Sequence, residues 1–574
     1  MKKKWTGILG MLLVLICHEV RSQWSPPTND ILRSPVDYSY RLSGNFCELR
    51  ETHFHAGLDI KPSHNGSPDR IYSVADGYIS RIKVSTGGYG MAIYIDHPSI
   101  GLTSVYAHMR KFTDEIATII RQYQMKEESF EVDYYLQPTE ILVKKGATIG
   151  IMGNTGHSFG THLHFELRDT KTEKAVNPML YGYGVPDNIL PTLLSIAIHT
   201  LDDDCYKLSE TRIPIHTEEN EEINIVSPIE ISGDKLGLAI QGYDRADASH
   251  NKIGLYSLKM FVDDTLTFRY QMDKISFDQS RYITGFYDYQ TKKKESKTYT
   301  LCYKYPGNDL EILNANLHGI IQMDQSRDKK VRIEAKDFGG NKKTINLILR
   351  KSPWINLLSP LINEGNTVLS GAIETLEVHN IKVSFNENTL FRNIRCDIIP
   401  SMIQGRETKY SIHHEMEPLK GFLDIAIKPD YFLESKADKA IIIHQSKNGT
   451  KSNCGGRWQG DRLAISGRQF GIYYLDYDTI APTIGVKSFS PRPKKKNPFR
   501  FIIRDNYPTK GNDARTLKYK IWIDGIFAIC PLNNGTSTVD IPIKHLKSGD
   551  HEVNIEAVDH CGNVSYFNSS FIIK

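Results

Sequence analysis

Short apolar runs separated by turn residues dominate the chain. Met91-Ala92-Ile93-Tyr94-Ile95, Lys518-Tyr519-Lys520-Ile521-Trp522-Ile523 and Val553-Asn554-Ile555-Glu556-Ala557 are representative. Each has the length of a strand and is rich in β-branched and aromatic residues, so the pattern predicts a mainly β protein. One stretch departs from it. Over about 113–126, Ile116, Ile119, Ile120 and Tyr123 fall at helical spacing, which predicts one helix inserted after a strand ending near Met109.

The second half repeats itself. Val331-Arg332-Ile333-Glu334-Ala335-Lys336-Asp337 leads into Gly340-Asn341, and Val553-Asn554-Ile555-Glu556-Ala557-Val558-Asp559 leads into Gly562-Asn563. Upstream of each stands a second matching pair, Tyr256–Asp263 and Leu517–Asp524. Two matched segments in the same order predict two copies of one β-sandwich module, immunoglobulin-like in kind. Prolines at 186–191, 353–360 and 482 mark joints. The expected domains are therefore 24–185, antiparallel β with the inserted helix; 190–350, a β-sandwich; 352–480, β-rich; and 481–574, a second sandwich.

Length and charge add limits. At about 100–200 residues per domain, 574 residues suggest three to five domains. Lys+Arg (71) against Asp+Glu (67) gives no concentrated basic character, so nucleic acid is not an expected partner. The run Pro491-Arg492-Pro493-Lys494-Lys495-Lys496 reads as a solvated loop. At the N-terminus, Lys2, Lys3 and Lys4 precede an apolar run over about 8–17, with short residues before Gln23. The run falls short of the roughly 20 residues a spanning helix needs and has the three-part form of a secretory signal. Residues 1–22 are thus an expected signal peptide, and the mature chain an exported protein without a transmembrane segment. Seven cysteines remain after Cys17, with no metal-binding spacing, and Cys530 with Cys561 is a conceivable pair.

The candidate chemistry lies between positions 40 and 170, in three histidine-bearing segments. They are His53-Phe54-His55-Ala56-Gly57-Leu58-Asp59, Tyr106-Ala107-His108, and the stretch from Gly153 to Leu167 that holds His162, His164 and Glu166. Side chains two apart on a strand share a face, so His162, His164 and Glu166 project together, as do His55 and Asp59. Gly57 between the latter permits a close backbone approach. Imidazole nitrogens and a carboxylate oxygen are ordinary Zn²⁺ ligands, and a catalytic zinc takes three of them plus water. The spacing supports such a site without saying which histidines ligate.

Taken together, His55-Ala56-Gly57-Leu58-Asp59, Tyr106-Ala107-His108 and the Gly153–Leu167 block resemble the lysostaphin/LytM-like zinc endopeptidases, over about residues 40–180. That resemblance implies an exported bacterial peptidoglycan hydrolase with a small antiparallel β core and a narrow groove. By motif position it implies His55, Asp59 and His164 as ligands of one Zn²⁺ per chain. His108 and His162 then stand as the non-ligand histidines that move protons, in either order. Glu166 is a candidate acceptor for an imidazole N–H. The sequence departs from the family at His157 and Thr161, where small Ser and Pro are commoner, and at Cys47, where glycine is expected. His53 reads as a groove-edge residue and His97 as a structural one. The implied substrate is peptidoglycan peptide in the periplasm or cell envelope, with envelope proteins as possible partners of the C-terminal modules. Competing readings are a non-catalytic wall-binding or regulatory protein, and a β-module scaffold with an accessory peptidase.

Overall fold

The computed structural model describes residues 32–216, 220–247, 249–352, 365–402, 405–431, 434–507 and 517–574. The expected signal over 1–22 and the joint over 353–360 lie outside them. The protein is mainly β, as the apolar pattern predicts. The inserted helix is Asp114–Glu127, burying Ile116 and Ile120. A second, short helix, Tyr289–Glu295, has no apolar periodicity to announce it. It is set by its cap, where the Asp288 carboxylate accepts from the Thr291 N–H at 3.1 Å. No helix among the described residues is long and apolar enough to cross a membrane.

The N-terminal region is organised by an antiparallel sheet. Its order is Leu42–Gly44, Leu58–Ile60, Leu163–Asp169, Leu102–Ala107, Met91–His97, Gly77–Val84 and Val132–Tyr135. A three-stranded sheet, Arg70–Tyr72, Thr148–Ile151 and Lys111–Phe112, shares its core through Ile71, Ile149 and Phe112. Leu163, Phe165 and Leu167 enter that core. The alternate residues His164, Glu166 and Arg168 are buried too, on the opposite face. Pleat periodicity thus puts the apolar residues on one side of a single strand and a polar network on the other.

This region is not separate from the next. The short strand Ala175–Val176 pairs with Leu163–Asp169 on one side and Lys274–Ile275 on the other. One core holds Phe46, Phe54, Ala56 and Ala175 together with Ile196, Leu238, Leu258, Ile333 and Ile345. The second region has two sheets, one around Thr192–Leu201 and Lys235–Tyr243, the other around Ser257–Val262, Lys329–Lys336 and Lys342–Lys351. A third region has two five-stranded sheets about its own core, and the last has two four-stranded sheets. The repeated segments occupy matching places: Leu258 pairs with Ala335 in one copy and Tyr519 with Ala557 in the other. Cys530 and Cys561 are both free thiols.

Candidate metal centre and its cleft

Strand register assembles the site. Leu58–Ile60 and Leu163–Asp169 run antiparallel with Asp59 opposite His164, and His164 opposite Ala107 on its other side. The approach is as close as Gly57 permits: a Cβ there would lie 2.3 Å from the Phe165 carbonyl oxygen. His55 precedes the strand, held by hydrogen bonds between its backbone and those of Glu48 and Cys47. Cys47 has φ 59°, a left-handed conformation that glycine adopts more readily.

Three atoms converge. His55 Nε2 is 2.9 Å from Asp59 Oδ1 and 2.9 Å from His164 Nδ1, and His164 Nδ1 is 3.1 Å from Asp59 Oδ1. All three residues are buried. The far nitrogens are committed: His55 Nδ1 lies 2.7 Å from the Asn45 carbonyl, and His164 Nε2 lies 2.7 Å from Glu166 Oε1. Each far nitrogen therefore carries the proton of a neutral ring, and both near nitrogens present lone pairs to a carboxylate. Three acceptors facing one another at about 3 Å need a cation between them. Ligands about 2.1 Å from one zinc at the tetrahedral angle stand roughly 3.4 Å apart, so the group fits. Without an ion a proton takes this place: burial opposes charge on His164, but hydrogen bonds to Asp59 and Glu166 outweigh it and raise the ring to about 9. Burial likewise disfavours the Asp59 carboxylate, yet His55 and His164 hold it well below the ordinary range.

Other groups hold these side chains in place. Arg50 Nη2 donates to Asp59 Oδ2 at 2.6 Å, which leaves Oδ1 to face the histidines. Glu166, fully buried, is clamped by Arg168 Nε at 2.7 Å and by the Tyr89 hydroxyl. Burial would raise its pKa, but Arg168 and His164 bring it down to about 2, so it is a fixed anion for the His164 N–H. Arg50, Asn45, Tyr89 and Arg168 were not singled out from sequence. Of these, Arg168 carries a signal, since it shares strand parity with His164 and Glu166.

His108 and His162 stand beside the triangle, their rings 4.8 Å apart. His108 Nδ1 donates to the Thr155 carbonyl at 2.8 Å, and His162 Nδ1 to the Gly160 carbonyl at 2.8 Å. Each therefore leaves Nε2 as a free lone pair, that of His162 lying 3.5 Å from Asp59 Oδ1. Burial and the neighbouring His164 and His162 lower His108 to about 3, which keeps it neutral. His53 is exposed beside Thr52 on the cleft rim. His97 is buried away from the site, bonded to the Asp76 carbonyl and to Ser104 Oγ.

The site opens into a cleft of ≈ 2220 Å³. One rim carries His157 and Phe159, whose rings meet edge to face at 5.3 Å, with Phe159 96% exposed. The last domain supplies a further wall through Arg504, Tyr519, Lys520 and Asn534. Glu128, just past the inserted helix, accepts from Lys520 Nζ at 2.8 Å and Trp522 Nε1 at 3.1 Å. Asn534 Nδ2 donates to the Thr86 carbonyl at 3.1 Å.

Residues 134–178, which contain His162 and His164, match Peptidase family M23, and residues 372–478 match the Zu5-like domain. Over 139 residues, 24% of this chain, the sequence is 31% identical to "DD-carboxypeptidase/endopeptidase Mpg" of Neisseria meningitidis serogroup B, covering 25% of that protein. An "Uncharacterized metalloprotease" of Haemophilus influenzae is 30% identical over 125 residues, 22% of this chain and 20% of that one. The chain thus spans about a quarter of the length of the curated relatives it matches. Among solved structures, a zinc-containing peptidase from Vibrio cholerae is 25% identical, with 26% of this chain and 39% of that chain covered and a TM-score of 0.19. The catalytic domain of lysostaphin from Staphylococcus simulans is 21% identical, with 25% and 93% covered and a TM-score of 0.19. The N-terminal region is a zinc metallopeptidase domain. Within it, residues 134–178 carry the M23 match, and the region is LytM-like.

Proposed function

We propose that the chain is an exported zinc metalloendopeptidase that hydrolyses peptide bonds in peptidoglycan stem peptides or cross-links, in the periplasm or cell envelope. His55, Asp59 and His164 would hold one Zn²⁺ per chain. The observation that carries this reading is the buried triangle of His55 Nε2, Asp59 Oδ1 and His164 Nδ1, ligand-type atoms 2.9 to 3.1 Å from one another. The metallopeptidase relatives support a peptide substrate, and the resemblance to wall hydrolases supports peptidoglycan. Residues 24–185 would form the catalytic domain, with 190–350, 352–480 and 481–574 as modules that frame or position it.

A bound zinc would supply an acidified water and a Lewis acid for the scissile carbonyl. The protein's own part is proton handling and orientation. Neutral His108 or His162 accepts a proton at Nε2, and the other, once protonated, donates to the carbonyl oxygen or the departing amine. The Thr155 and Gly160 carbonyls fix both tautomers, so each Nε2 remains the exchanging atom. Arg50 and Glu166 hold Asp59 and His164 in orientation.

The test is mass spectrometry of defined muropeptides incubated with the zinc-loaded full chain. Cleaved peptides are expected, lost on chelation and in His55→Ala, and regained when zinc is returned to the wild type. Muropeptides left intact by the zinc-loaded wild type would overturn the proposal.

A further inference from the structure

Two buried acidic clusters lie outside the metal centre, the second reaching the cleft wall at Asp505, and they are copies of each other. Asp187-Asn188-Ile189-Leu190-Pro191-Thr192 and Asp478-Thr479-Ile480-Ala481-Pro482-Thr483 share the pattern Asp-x-Ile-x-Pro-Thr. Each leads into the first strand of a repeated module, Thr192–Leu201 or Thr483–Ser488. That strand pairs Thr192 with Tyr243 and Thr483 with Arg504, and the residue following each partner is an aspartate, Asp244 or Asp505. The third member is Asp337 or Asp559, both in Ala-x-Asp-x-x-Gly-Asn. Three aspartates far apart in sequence therefore recur in register in both modules.

The hydrogen bonds recur as well. Asn341 Nδ2 donates to the Asp187 carbonyl at 3.0 Å and to Asp337 Oδ2 at 2.7 Å. Asn563 Nδ2 donates to the Asp478 carbonyl at 2.8 Å and to Asp559 Oδ2 at 2.8 Å. The Ile189 N–H meets Asp187 Oδ1 at 3.0 Å, and the Ile480 N–H meets Asp478 Oδ1 at 3.3 Å. Each cluster also keeps buried oxygens without any partner. Asp244 is 2% exposed and Asp478 is wholly buried, yet Asp244 Oδ1, Asp478 Oδ2 and Asp505 Oδ1 accept no hydrogen bond. One carboxylate oxygen from each of Asp187, Asp244 and Asp337 lies within 4.8 Å of the others. Burial and the mutual repulsion of the carboxylates push Asp244 up to about 9 and Asp187 to about 7. Burial and the charges of Asp478 and Asp559 push Asp505 up to about 6. Buried carboxylates that repel one another and leave oxygens unpaired are costly unless something positive joins them.

We infer that each cluster is a binding site for a divalent cation, calcium by its oxygen donors, held by Asp187, Asp244 and Asp337 in one module and by Asp478, Asp505 and Asp559 in the other. His560 and Cys561 approach Asp478, but Phe338 and Gly339 stand at the matching places in the first copy, so the duplicated donor set is oxygen alone. Hard oxygen ligands suit Ca²⁺ rather than zinc. Each ion would join the segment entering the module to the end of its second strand and to the Asp-x-x-Gly-Asn turn. It thereby fixes the joint with the preceding region. The assignment does not rest on the catalytic reading.

Equilibrium dialysis of the zinc-loaded full chain against ⁴⁵Ca²⁺ tests it. Two calcium ions per chain are expected, one in Asp244→Asn, one in Asp505→Asn and none in the double variant. Circular dichroism reports that the variants fold. Their melting temperatures without calcium should equal or exceed that of the wild type, because a carboxyl group buried unfavourably among other carboxylates is gone, while the rise on adding calcium shrinks. Fewer than two bound ions in the wild type, or two that survive both substitutions, overturns the inference.

Discussion

At the residue scale, function divides between atoms that face the proposed ion and atoms that hold them. The first group is what the resemblance carried by three short motifs implies; strand parity places these residues on shared faces but does not say which histidines ligate. Arg50 was not legible in sequence: its guanidinium reaches Asp59 Oδ2 across a turn whose geometry no periodicity encodes. Tyr89 reaches Glu166 from a separate turn and was equally silent. Glu166→Gln keeps the shape of the side chain but removes the anion that accepts from His164 Nε2. We expect zinc affinity to fall about 10–100-fold, read by chelator competition, with the fold intact by circular dichroism. His108→Ala and His162→Ala should retain bound zinc while kcat/KM falls about 10²–10⁴-fold on a defined muropeptide. Loss of zinc from either would mean that the side chain is a ligand.

At the scale of elements, the alternation of apolar and polar residues predicted strands well, because each packs on a core through every second side chain. It also located the inserted helix, whose apolar positions recur at helical spacing. The helix Tyr289–Glu295 escaped because its cap, rather than a buried stripe, sets it. Register is the element-level property on which the site depends. In Gly57→Ala, a Cβ 2.3 Å from the Phe165 carbonyl forces apart the strands that set Asp59 opposite His164. Thermal denaturation should show a loss of about 1–3 kcal/mol, accompanied by weaker zinc retention. Within Thr192–Leu201, His199 is buried beside the Tyr303 hydroxyl, and burial lowers it to about 4. The folded state then binds its proton less readily than the unfolded chain, where the ordinary value is about 6.5. That contribution to stability is present above pH ~6.5 and is lost as pH falls towards 4. Melting temperatures over this range should decline less in His199→Gln than in the wild type.

At the scale of the whole molecule, the chain folds back so that its last domain walls the cleft of its first. Sequence could not disclose this, since Glu128 meets Lys520 and Trp522 across nearly four hundred residues without any local motif. The repeat between the second and last modules was legible because both copies keep the same ladder. The shared core of the first two regions was hidden, as it arises from a two-residue strand, Ala175–Val176. Trp522→Ala should loosen the wall. Steady-state kinetics should then show an altered KM for long cross-linked muropeptides, with kcat on a short peptide unchanged. Equal effects on both substrates would remove the wall from substrate selection. His55, Asp59 and His164 are proposed to share one zinc ion. Anomalous diffraction at the zinc edge from crystals of the zinc-loaded full chain tests it most directly. A peak bounded by His55 Nε2, Asp59 Oδ1 and His164 Nδ1 is expected; a zinc peak elsewhere, with none among these three atoms, rules out the shared ion.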